Sequence, residues 1–134
     1  MAEVIAAADN VIERYLRCLS ANDWDGLATT MVDKGLVRDG PFCDIVEGKQ
    51  PYIAFLRDVF SRLPGYRLTV QRISHVSERL CYVELTETFE INAVPTAYPE
   101  CIRFERNNAG LISRVSVYMK RPGDVPGVEG GRAL

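Results

Sequence analysis

Leu80-Cys81-Tyr82-Val83-Glu84-Leu85-Thr86-Glu87-Thr88-Phe89-Glu90-Ile91 alternates apolar and polar residues along almost its whole length. Side chains two apart in an extended chain share a face, so Cys81, Val83, Leu85, Phe89 and Ile91 form one apolar row. A run of this length with period two predicts a strand that buries one face. Tyr66 to Val76, Thr96 to Glu105 and Leu111 to Lys120 read the same way, separated by polar turns such as Arg106-Asn107-Asn108-Ala109-Gly110. Successive strands joined by short turns predict an antiparallel meander whose apolar face must be covered by something else.

The first half of the chain supplies the cover. From Glu3 to Ser20 the residues Val4, Ile5, Ala8, Val11, Ile12, Tyr15, Leu16 and Leu19 recur on one helical face, with Glu13, Arg14 and Arg17 on the other. Asn22 or Asp23 can cap a second short helix running to about Met31. Leu36 to Arg38 and Phe42 to Val46 flank Asp39-Gly40-Pro41 and predict a hairpin. Pro51 suits a first helical turn, after which Tyr52, Ile53, Leu56, Val59, Phe60 and Leu63 form a third stripe that Pro64-Gly65 ends. Helices early and strands late predict an α+β cone: three helices in the N-terminal half packed on a curved, mixed or antiparallel sheet of about six strands. One domain over residues 1–120 is expected. A flexible tail is expected over 121–134, where Pro122, Gly123, Pro126, Gly127, Gly130 and Gly131 leave little apolar surface.

Composition narrows the function classes. A chain of 134 residues can bury a core without staples, and 47% hydrophobic with 25% charged residues is ordinary for a globular protein. The net charge of −2 argues against nucleic acid as the main partner. No apolar run approaches the length of a membrane helix, and Met1-Ala2-Glu3-Val4-Ile5 lacks the basic start of a signal peptide, so a cytoplasmic protein without a membrane partner is expected. Cys18, Cys43, Cys81 and Cys101 are scattered with no CxxC pair, which predicts buried thiols and no metal; there is no Gly-rich phosphate loop, and no cofactor is expected. His75, the only histidine, sits near the end of a strand and reads as a surface residue.

Chemistry is therefore sought in single polar residues on apolar faces. Glu87 interrupts the apolar row of its strand, and Glu100 interrupts the row of Tyr98, Ile102 and Phe104 in the next. A carboxyl facing a sparsely hydrated pocket resists ionising and can serve as a proton donor near neutrality. Either glutamate could equally sit in a subunit interface or be turned outward by a bulge. Tyr15 lies on the buried stripe of the first helix, where its hydroxyl needs a partner. Asp39 ends the first strand beside a turn, a common place for an aspartate, and Trp24 is expected to pack the second helix onto the sheet.

The order of these elements, with Arg14-Tyr15 on the first helix, Asn22-Asp23-Trp24-Asp25-Gly26-Leu27, Asp39, Gly48 and Glu100 before Ile102-Arg103-Phe104, resembles the nuclear transport factor 2-like (NTF2-like) superfamily over about residues 3–120. Within it the pattern is similar to Δ5-3-ketosteroid isomerase and its SnoaL-like relatives. The resemblance implies catalytic roles for Asp39 as the base, with Tyr15 and a protonated Glu100 as donors to an enolate oxygen. Glu100 stands where that family has an aspartate, and Asp39 is followed by Gly40 rather than proline. Glu87, Tyr98, Phe89, Phe55, Val117 and Met119 are expected to line the ligand pocket. The implied function is an isomerase- or cyclase-like proton transfer on a small apolar carbonyl compound. The alternative is a non-catalytic module that binds a small ligand or forms a homodimer through a face carrying Arg114, Ser116 and Tyr118. Epoxide hydrolysis ranks third, since the inward Val115, Val117 and Met119 supply no aspartate.

Overall fold

The computed structural model describes residues 2–121. Its elements are α1 (Ala2–Ala21), α2 (Trp24–Ala28), β1 (Val37–Asp39), β2 (Ile45–Glu47), α3 (Lys49–Phe60), β3 (Arg67–His75), β4 (Leu80–Ile91), β5 (Val94–Arg106) and β6 (Ile112–Met119). The strands form one sheet of six in the order β2-β1-β6-β5-β4-β3. Its long strands are the expected antiparallel meander, and β1 joins β6 in parallel, which makes the sheet mixed. The helices pack on one face and leave an α+β cone. Apart from Arg121, the tail expected over 121–134 lies outside the described residues.

Burial follows the sequence periodicities. Ile12, Tyr15, Leu27, Leu36, Val83, Leu85, Phe104, Ile112 and Val115 are almost wholly buried, and the ring of Tyr15 meets Phe104 edge-on at 5.0 Å. Each such side chain contributes about 1.5–3 kcal/mol by leaving water, so this layer fixes how α1 sits on β5. Trp24 packs against the core, with its ring edge-on to Phe60 of α3 at 5.6 Å. Ser116 is not part of an exposed row either, being 2% exposed between strands, whereas Tyr118 is open to solvent.

Two local details set the position of the cavity. The second helix is capped by Asp23, whose Oδ1 accepts from the Gly26 N–H at 2.9 Å, while Asn22 takes a left-handed φ of 56°. It ends at Ala28, not near Met31, because the Thr29 and Thr30 hydroxyls donate back to the Gly26 and Leu27 carbonyls, both at 2.6 Å. Met31 then bridges to Ile112 in parallel and starts the approach to β1. Gly48, with φ of 97° and ψ of 145°, turns the chain from β2 into α3 while its N–H donates to the Leu36 carbonyl at 2.7 Å. No described helix is long and apolar enough to cross a membrane.

Candidate active site

A cavity of about 360 Å³ opens between α1, α3, the β1–β2 turn and the inner face of β4, β5 and β6. Phe55, Phe89, Tyr98, Val117, Met119 and Glu87, the expected pocket residues, all line it. Phe89 and Tyr98 come from β4 and β5 and stack at 4.8 Å with their planes 11° apart, forming a flat apolar wall. Besides Arg121, three polar pairs interrupt the apolar lining.

The first is a pair of phenols. Tyr15 of α1 and Tyr52 of α3 hydrogen-bond through their hydroxyls, and both side chains are buried. Loss of hydration raises the Tyr15 pKa well above its ordinary value and pushes Tyr52 up to about 12. Both stay neutral at physiological pH. In a two-phenol chain one O–H is used between the rings and the other is left to donate outward.

The second is a carboxyl pair. Leu85 is opposite Glu100 and Glu87 is opposite Tyr98 across β4 and β5, so the two glutamates are diagonal neighbours on one face. Glu100 is 8% exposed. Burial raises its pKa far above the carboxylate range, Glu87 adds to the rise through a hydrogen bond and its charge, and Arg38 opposes it. Glu100 therefore keeps its proton beside Glu87, its Oε2 is buried with no hydrogen-bond partner among the described residues, and Glu87 accepts from the Tyr66 hydroxyl. The hydrogen-bonded Glu87 carboxylate and the burial together hold the Tyr66 phenol in its neutral form.

The third is the Arg38–Asp44 ion pair, with Nη1 to Oδ2 at 2.6 Å, both residues lining the cavity. Arg38 lies over the Phe55 ring at 4.8 Å, and its Nε is buried with no hydrogen-bond partner among the described residues. Asp44 Oδ1 accepts from the Phe42 N–H at 3.2 Å, tying the turn to the pair.

Asp39 is the exception among the expected catalytic residues. Arg38 pairs with the inward Val115 and Asp39 with Ser116, so Asp39 points to the outer face of the sheet. There its Oδ2 accepts from Arg114 at 3.1 Å, beside Glu105 and Arg103. The structure brings Tyr15 and Glu100 together and leaves Asp39 across the sheet from them. Tyr52, Tyr66, Arg38 and Asp44 were not expected at the site; the signal for Tyr52 was a phenol inside an apolar helical stripe, as for Tyr15. Among the described residues no three His, Cys, Asp or Glu side chains are grouped to hold a metal ion.

The model of the SnoaL-like domain matches residues 12–115. No curated protein matches the chain. Among solved structures, an LEH-like epoxide hydrolase of Mycobacterium tuberculosis is 22% identical with a TM-score of 0.72, over 84% of this chain and 82% of that one. A candidate ketosteroid isomerase of Kribbella flavida is 19% identical, TM-score 0.72, over 89% and 82% of the two chains. A candidate SnoaL-like polyketide cyclase of Shewanella denitrificans is 11% identical, TM-score 0.72, over 85% and 90%. These likenesses are in the fold.

Proposed function

Because this chain belongs to the SnoaL-like domain family, with the NTF2-like fold, we propose that it is a cofactor-independent enzyme that moves a proton on a small, largely apolar carbonyl compound. The observation that carries this reading is the placement of Glu87 and the buried Glu100 as diagonal neighbours beside a neutral phenol pair in an apolar cavity. The free phenol O–H of the Tyr15–Tyr52 chain holds the carbonyl oxygen. The Glu87 carboxylate takes a proton from the carbon next to the carbonyl, and the electrons of that C–H bond move to the oxygen as an enolate. Return of the proton to a different carbon completes an isomerisation, whereas attack of the enolate carbon on a second carbonyl closes a ring. Donors fixed in a water-poor cavity need no reorganisation as charge develops, which is why the phenols lower the barrier more here than in water.

The test is exchange of α-protons for deuterium in small ketones, followed by NMR, together with isomerisation of a β,γ-unsaturated ketone. Glu87→Gln is expected to lower either rate by about 10²–10⁴, the usual range for a general base. Wild-type rates equal to buffer for every ketone offered would remove the proposal.

A non-catalytic binding role is the second reading, favoured by the internal pairing of Tyr15 with Tyr52, Glu87 with Tyr66 and Arg38 with Asp44. It is recognised by thermal stabilisation on ligand addition, equal in wild type and Glu87→Gln, with no exchange in either. Epoxide opening is not adopted, because the inward residues of β6, Val115, Val117 and Met119, bring no carboxylate to the cavity.

A further inference from the structure

Two cations share the cavity with its carboxyl pair. Glu87 and Glu100 line it as diagonal neighbours on β4 and β5. Arg38 and Arg121 line it as well. Arg121 lines the cavity with its guanidinium over the ring of Phe42 at 5.0 Å, and Phe42 is 61% exposed. The Phe42 N–H donates to Asp44, and Asp44 in turn holds Arg38. Arg121, Phe42, Asp44 and Arg38 thus form one continuous chain of contacts with two cations and one anion, a net charge of one positive.

Arg38 is the unusual member. It is 9% exposed, faces the cavity and has a buried Nε–H without an acceptor among the described residues. A guanidinium taken out of water costs free energy unless its donors are met, and Asp44 meets only part of the fork. The Asp44 side chain is 40% exposed and can turn to solvent, so its place beside Arg38 is open to exchange.

We propose that the molecule bound in this cavity carries a carboxylate besides its carbonyl, held by Arg121 and Arg38. The substrate class is then a keto acid with an apolar part: the carbonyl meets Tyr15–Tyr52 and the carboxyl pair, the apolar part lies along the Phe89–Tyr98 wall, and the carboxylate meets the two guanidinium groups. The position of the carbonyl rests on the proton-transfer reading above, whereas the carboxylate rests on Arg38 and Arg121 alone. Arg38 and Arg121 present planar forks that a carboxylate oxygen pair can meet, and charged hydrogen bonds of this kind are stronger than neutral ones.

The experiment compares 4-phenyl-4-oxobutanoate with its methyl ester on the full chain. Trp24, the only tryptophan, packs on Phe60, which lines the cavity, so its fluorescence reports occupation. The acid is expected to bind about ten- to a hundred-fold more tightly than the ester at low salt, as hydrogen bonds to a charged group imply. The gap should shrink in Arg121→Gln, an exposed substitution that leaves the core intact, and should close partly on adding salt. Asp44→Asn should widen it, because a competitor for Arg38 has gone. Equal affinity for acid and ester, or a gap unchanged in Arg121→Gln, overturns the proposal. Deuterium exchange measured on both probes separates the two claims. Tight binding of the acid without exchange sinks the proton-transfer reading and keeps the carboxylate; equal binding and exchange of acid and ester does the reverse.

Discussion

Arg38 and Asp39 are consecutive in β1 yet lie on opposite faces of the sheet, the arginine lining the cavity and the aspartate 3.1 Å from Arg114 on the outer side. A strand gives alternate residues to alternate faces, so only one of the two can take part in the chemistry. Asp39→Asn is expected to leave ligand affinity and turnover unchanged. Its pair with Arg114 is about one-third exposed on each side, so stability should fall by no more than about 1 kcal/mol. A loss of turnover comparable to that of Glu87→Gln, with the fold intact by circular dichroism, would return the base to Asp39 and contradict the geometry.

Glu100 keeps its proton in the folded state at pH values where an unfolded glutamate, with an ordinary pKa of 4.5, has lost it. Above that value the native chain binds more protons than the unfolded one. Stability from this group is therefore complete below the unfolded pKa and drains away as pH rises toward the raised folded value. One group can contribute a slope of at most about 1.4 kcal/mol per pH unit. Glu100→Gln should flatten the fall of the unfolding midpoint between about pH 5 and about pH 9, and should exceed the wild type at the alkaline end. Arg38, Glu87, Tyr52 and Tyr66 all act on this site, so identical pH profiles for the two proteins would mean that Glu100 ionises freely.

The phenol pair gives a prediction about additivity. Tyr52→Phe leaves the Tyr15 hydroxyl buried without its partner, at a cost of about 1–3 kcal/mol, and Tyr15→Phe does the same to Tyr52. Removing both oxygens leaves nothing unsatisfied. The double variant should accordingly lose clearly less stability than the sum of the singles in urea unfolding, because the two sites are in direct contact. Strict additivity would show that the hydroxyls do not depend on each other.

What the sequence discloses about the site depends on strand length. Glu87, Phe89, Tyr98 and Glu100 are legible because β4 and β5 are 12 and 13 residues long, and a period of two over that length has one phase. β1 has three residues, Val37, Arg38 and Asp39, with two charges and no apolar row to set a phase. Its orientation comes from parallel pairing with Arg114, Val115 and Ser116, far along the chain, and local pattern carries no information about that. Tyr52 and Tyr66 were hidden for a different reason. A tyrosine in an apolar stripe packs like any aromatic residue, and only the position of its oxygen relative to a second polar group distinguishes a site residue from a core one.

Gly48 offers a test of how the cavity is placed. At φ 97° and ψ 145° it occupies a region that side chains avoid, and a Cβ there would lie 3.2 Å from Cδ of Pro51 in the first turn of α3. Gly48→Ala should cost about 1–3 kcal/mol in urea unfolding. Gly110, with φ of 82° and nothing within 4 Å of an added Cβ, is the matched control, since it carries the backbone strain without the contact. The two alanine variants should differ in function more than in stability. Relief of the strain at Gly48 must move the start of α3, and α3 carries Tyr52 and Phe55 into the cavity, whereas Gly110 lies in the β5–β6 turn. Ligand affinity by Trp24 fluorescence should therefore fall in Gly48→Ala and hold in Gly110→Ala. Equal affinity in both would mean that packing on the sheet, and not the turn at Gly48, positions the phenol of Tyr52.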